Sequence, residues 1–431
     1  MKTNVVKLRW LFTMLLFVTT MIMPTMMLAK SIDLKIPEGD GAGTPYKIGT
    51  AEELYWFAGL VNGTLPGVKK DLSANAILTD DIIVNTGVLD PNKDLVSGND
   101  FIEWIPIGKS SSDDDAYTGT FDGNGHTISG LYFNKSNSWY VGLFGCIGAE
   151  GKISNVGVSD SYFQSSNCPY IGGVCGSNSG ELQNCSNSST VIGKENEYRI
   201  GGVCGYNSGT VKDCKNTGSV RGKETIGGVC GYNERRYNEK GGIIENSFNE
   251  GTVRGKETIG GVCGNNSGTI KNCYNTASVS GQYSVGGVCG DNYEGPITNC
   301  YYLSGTVADG KGGIGGKDDE NGKAVEMSKD RFKSGEVAWL LNGSKSVSTE
   351  ESTLAWYQKL GENADAYPVL KSTDHNTVYK APLFSCDGTT RIGEYANKPE
   401  GDKLSHNYQM AEKADEGTSN LYSEECAICH N

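Results

Sequence analysis

"RIGGVCGYNSGTVKDCKNTGSVRG", residues 199 to 222, returns almost unchanged as "TIGGVCGNNSGTIKNCYNTASVSG" at 258 to 281. A short unit that recurs cannot bury its own apolar face and has to stack on its neighbours, so the repeat is read before any single residue in it. Working outward, the string Gly-Gly-Val-Cys-Gly occurs with its cysteine at Cys175, Cys204, Cys230, Cys263 and Cys289, at separations of 29, 26, 33 and 26 residues. A second column, Cys185, Cys214, Cys273 and Cys300, follows its partner by ten or eleven residues. The 33-residue unit carries the polar insertion "NERRYNEKG", and Ser247 takes the place of its second cysteine.

Four- to six-residue runs joined by Asn, Ser and Gly turns, within a unit of about 26 residues, have the size of one coil of a β-solenoid. A propeller blade needs about 40 residues. The expected fold is therefore all-β, a right-handed parallel β-helix of about 26-residue coils with a short N-terminal capping helix and a small C-terminal subdomain. Equivalent residues of successive coils then stand about 4.8 Å apart. That spacing predicts ladders from Cys175, Cys204, Cys230, Cys263 and Cys289, and from Asn187, Asn216, Asn249 and Asn275, whose amides can bond from coil to coil.

Composition agrees with an array. Glycine numbers 60 among 431 residues, about twice the usual share, but only 11 prolines and no Gly-X-Y period accompany it, which excludes collagen. A formal charge of -13, with no basic run in the sequence, argues against nucleic acid and anionic membrane as partners.

Residues 1–29, with Lys2, Lys7 and Arg9 before an apolar run interrupted at Pro24, read as a secretory signal peptide. No transmembrane helix is expected after its removal, and the mature chain is expected to be secreted or held at the cell surface. Residues 30–116 form an N-terminal cap region. In it Thr50 and Glu53 make a capping box ahead of Leu54, Phe57, Ala58 and Val61 at helical spacing, and Gly63 ends the helix. "AILTDDIIV" and "WIPIG" read as strands. The solenoid is placed at 117–316, a small subdomain at 317–380 with a helix over 330–342, and a Cys/His tail at 381–431.

"VGLFG" at 141 to 145 and the five "GGVCG" segments resemble the GLUG motif of bacterial surface proteins. The lead-in "EELYWFAGLVNG", "WIPIG" and "YTGTFDGNGHTISGL" is similar to the usual approach to such arrays, and so is the exit "RFKSGEVAWLLNG", "WYQKLG" and "YPVL". The resemblance implies an exported, cell-surface or adhesin-like protein. Some members of the family carry a metallopeptidase domain, but the histidines here are His126, His375, His406 and His430, and no His-Glu-x-x-His motif exists.

No catalytic set recurs along the repeats. Lys212 and Asp213 sit together in one coil, but Asn184, Asn246, Asn272 and Asn299 occupy the matching places, so paired acids do not repeat. The repeat thiols have no histidine beside them to act as a base, and they read as small buried hydrophobes, with disulfides between coils as the rival. The functional expectation is a non-enzymatic surface protein that presents an extended binding face to an unidentified glycan or protein. The alternative is a carbohydrate-active enzyme on a solenoid. The tail ends in "ECAICHN". Cys426, Cys429 and His430, with His406, form a candidate metal set for zinc, whereas Cys-x-x-Cys-His also fits c-type haem attachment, and plain structural thiols remain a third reading.

Overall fold

The computed structural model describes residues 32–426, apart from 99, 111–114, 168, 195–197, 236–240, 309–310, 316–322, 346–353, 371–375, 386–390, 405–407 and 413–421. The signal segment lies outside the described residues.

Each coil turns through five short parallel strands. One coil runs Lys152–Ser154, Gly157–Ser159, Tyr162–Ser166, Tyr170–Gly172 and Cys175–Asn178, and the chain then returns at Glu181–Gln183 onto the first of these. Stacking produces five faces, numbered here in that order, of nine, nine, six, six and six strands. Amide bonds between equivalent residues span 26 to 33 positions, so the coils are longer on average than the 26 expected. The stacked strands also start earlier than residue 117. Tyr46–Ile48 pairs with Ala76–Leu78, which pairs with Thr120–Asp122, all on the first face.

Every strand turns one column inward. Leu182, Val211, Ile244, Ile270 and Ile297 line the first face, Val191, Val220, Val253 and Val279 the third, and Ile200, Ile226 and Ile259 the fourth. Cys175, Cys204, Cys230, Cys263 and Cys289 pair in register on the fifth, each fully buried and free. The sulfurs of Cys175 and Cys204 are 3.4 Å apart, beyond the disulfide bond length of about 2.05 Å. Burial pushes the thiols of Cys175, Cys230 and Cys289 well above their ordinary range, so these three pack as neutral thiols.

The second face is built differently, because Asn187, Asn216, Asn249 and Asn275 point inward. Each amide donates to the next at 2.7 to 2.8 Å. Room for this ladder comes from the glycine pair opposite. A Cβ on Gly202 would lie 2.2 Å from the Gly228 carbonyl and 2.3 Å from the Asn216 amide carbon. The Gly-Gly and the Asn of each repeat are thus two halves of one contact, which explains why they recur together.

Helix α1 (Ala51–Asn62) closes the N-terminal end. Thr50 accepts from the Glu53 amide at 3.3 Å, Glu53 accepts from the Gly49 amide at 2.9 Å, and Gly63 ends the helix at φ +65°. Leu54, Phe57 and Val61 are fully buried, and Phe57 meets Tyr117 and Phe121 at 6.2 and 6.0 Å between ring centres. The expected helix over 330–342 is two pieces, α2 (Lys329–Lys333) and α3 (Glu336–Leu341), because Gly335 between them adopts φ +88°. Both pack with Trp356 on the outer side of the second face, over Phe248, Tyr274 and Tyr301 of three successive coils.

Candidate binding groove

The corner between the first and second faces needs a left-handed residue in every coil. Asn155, Asn184, Asp213, Asn246, Asn272 and Asn299 occupy it, with φ between +48° and +55°. Asparagine and aspartate tolerate that conformation better than other side chains. The side chains form an outer ladder in which Asn184 donates to Asn155 at 2.8 Å, Asn272 to Asn246 at 3.2 Å and Asn246 to the Asp213 carboxylate at 3.0 Å. Asp213 interrupts the series, since an ionised carboxylate has no hydrogen to pass to Asn184.

Beside this ladder runs the outer column of the second face. It begins with the small residues Thr127, Gly157 and Ser186, continues with Lys215, and ends in Phe248, Tyr274 and Tyr301. The subdomain covers the aromatic part and leaves the small part open. A groove of about 540 Å³ results, floored by Thr127, Gly157 and Ser186 and closed at one end by Phe248, Val369 and Leu370. A lobe of about 670 Å³ adjoins it across Asn155, Asn184, Asp213 and Leu370, with Lys212 and Gln183 on its wall.

Two carboxyls enter this space, Asp213 and Glu250. Burial raises the pKa of Asp213 above its ordinary 3.8, against the hydrogen bond from Asn246. Burial also raises Glu250 above 4.5, against the charge of Lys215. Glu250 still shows more than a third of its surface to solvent, so its carboxyl is reachable from the groove. The Tyr274 hydroxyl, fully buried beneath, donates to the Pro368 carbonyl at 2.7 Å and ties the subdomain to the coil that forms the closed end. Amides, hydroxyls, two carboxyls and two lysines around a floor of small side chains suit a polyhydroxylated ligand.

The sequence reading singled out Asp213 with Lys212 and missed Glu250, which lies 37 positions further on and directly follows the ladder residue Asn249. The signal that could have found it is the column itself, because Lys215 and Phe248 pair in register and bring Glu250 to the neighbouring coil. The tail set is not assembled in view. Cys429, His430 and His406 lie outside the described residues, and of Cys426 only the backbone is described, in the strand Tyr422–Cys426 opposite Tyr408–Glu412. Among the described residues no cluster of three or more His, Cys, Asp or Glu could hold a metal, and no helix is long and apolar enough to cross a membrane.

These features define a β-solenoid repeat protein with a laterally docked subdomain. The family model of the GLUG motif matches residues 196–221, one unit of the array. Halomucin of Haloquadratum walsbyi is 38% identical over 84 residues, covering 20% of this chain and 1% of that protein. A protein assigned as a Gly-rich membrane protein in Evansella cellulosilytica is 33% identical over 78 residues, 18% of this chain and 9% of the relative. The chain therefore spans less than a tenth of the length of either. A crystal structure from Bacteroides ovatus, assigned as an immunoglobulin A1 protease, is 20% identical with a TM-score of 0.44 over 78% of this chain and 98% of that one.

Proposed function

We propose that this chain is an exported, non-enzymatic cell-surface protein of adhesin type, and that the groove holds the end of a glycan chain. The observation that carries the reading is the shape of that groove. It is polar and floored by small side chains, and it stops at a wall made by a separate part of the chain, so it suits a chain terminus better than a chain interior. A rigid stacked array offers little conformational entropy to lose on binding. The GLUG repeat and the surface-type names of two relatives support the cellular setting.

The second reading, a carbohydrate-active enzyme, is favoured by one observation. Asp213 and Glu250 share the groove, and both have raised pKa values, as a general acid needs. One experiment separates the readings. Purified residues 30–431 are titrated with a panel of oligosaccharides while products are followed by chromatography. Binding without turnover, weakened tenfold or more by Ser186→Trp on the groove floor, is the expected result. Product release that disappears in Asp213→Asn or Glu250→Gln establishes the enzyme instead.

A further inference from the structure

On the far side of the coil from the groove, at the corner between the third and fourth faces, cations are stacked. Ile192, Arg221 and Arg254 pair in register on the third face, and two residues after them come Lys194, Lys223 and Lys256. The backbone fixes the spacing. The Lys256 amide donates to the Lys223 carbonyl at 2.9 Å, and the Gln282 amide to the Lys256 carbonyl at 2.9 Å. Lys223 and Lys256 therefore stand about 4.8 Å apart along the array axis, and Lys194 lies one coil back, two residues after Ile192, which pairs with Arg221.

They line an open trough of about 690 Å³ together with Arg254, Ser166 and the glycines Gly193, Gly222 and Gly255. All three lysines and Arg254 are exposed, and none has an ion pair among the described residues. Arg221 beside them is held by Asp94 at 2.7 Å. Glu224 and Glu257 follow Lys223 and Lys256 in the chain, and Glu195 and Glu197 lie outside the described residues. In a chain of net charge -13, the trough's lining on three successive coils holds four cations and, among the described residues, no carboxylate. The sequence hides it, because the lysines are 29 and 33 positions apart.

We propose that this trough binds a linear anionic polysaccharide, laid along the array axis with one anionic group per coil. Charge complementarity selects the anion, and the column favours a polymer, since a small ion reaches at most neighbouring lysines whereas a chain can meet a cation on every coil. A sugar ring in an extended glycan advances by a distance close to the coil spacing, so carboxylates or sulfates on successive rings can meet successive lysines. The site stands on different residues from the groove and does not depend on what the groove binds.

The test uses purified residues 30–431 and measures affinity for a polyuronate, a sulfated glycan, a neutral glucan and a DNA duplex across a salt series. Binding to one or both anionic glycans in preference to DNA, falling as salt rises, is expected. The two glycan arms distinguish carboxylate from sulfate as the source. The triple variant Lys194→Gln, Lys223→Gln, Lys256→Gln should lose at least tenfold in affinity and lower the salt slope by about the number of lysines removed. Gln282 occupies the same column one coil on, so glutamine fits the corner, and an unchanged melting temperature checks the fold. Undiminished binding in the triple variant, equal binding to DNA, or no binding to either anionic glycan overturns the proposal. Ser186→Trp should leave this binding unchanged, so that failure of the groove reading and failure of this one are told apart.

Discussion

Asn216 makes four hydrogen bonds through one amide, accepting from Asn187 and from the Gly218 backbone and donating to Asn249 and to the Gly218 carbonyl. Each of these partners is buried, so the amide cannot be removed without stranding polar groups away from water. Asn216→Ala should cost about 2–4 kcal/mol, read from the shift of a denaturant midpoint, which is more than its small apolar volume would suggest. Asn216→Asp should be worse, because it leaves a charge against the buried Asn249 amide and Gly202. Asp213 makes the opposite case. Its folded pKa is raised, so the folded state binds a proton more tightly than the unfolded chain, and stability is highest below the ordinary carboxylate value and is lost as pH rises through the folded value. Asp213→Asn should therefore melt at least as high as the parent at pH 7, and its melting temperature relative to the parent should rise as pH climbs above the ordinary carboxylate value. A difference between variant and parent that falls over that same interval would contradict the burial account.

At the scale of the element, helix α1 covers the N-terminal end of the array. Its Phe57 sits with Tyr117, Phe121 and Phe144 over the first coils, where unpaired backbone would otherwise meet solvent. Phe57→Ala should destabilise by about 3–5 kcal/mol and raise amide exchange first in Tyr46–Ile48 and Ala76–Leu78. This helix was legible from its capping box and apolar spacing, since both signals are local. The repeated strands were legible for a different reason: five copies of one string leave little else to fold into. What stayed hidden depends on partners distant in sequence. Tyr46–Ile48 looks like any short apolar run until it pairs with Ala76–Leu78, so the sequence alone places the start of the array near residue 117. The break between α2 and α3 turns on Gly335, a residue that helices tolerate often enough to be overlooked. In the groove, Asp213 drew notice by differing from its column, whereas Glu250 acquires its role only from the wall built by Val369 and Leu370.

For the whole molecule, the five faces share one continuous core from Ile48 to Ala324, and the subdomain adds a second cluster outside it. That second cluster bears on how the protein behaves under load. Coils joined in series by hydrogen bonds and a narrow core peel from an end one at a time, and each freed coil of 26 to 33 residues pays out roughly 90–120 Å of chain. The subdomain changes the sequence of events at the C-terminal end. Packing across Phe248, Tyr274 and Tyr301, with Tyr274 bonded to Pro368 and Asn299 to Leu340, it straps three coils together from the side. Tension applied through the C-terminus must break that strap before any coil can leave, and the three then go nearly as one. On the adhesin role proposed above, such an order would give a tether that is stiff up to a threshold, extensible beyond it, and able to rewind coil by coil when the pull relaxes.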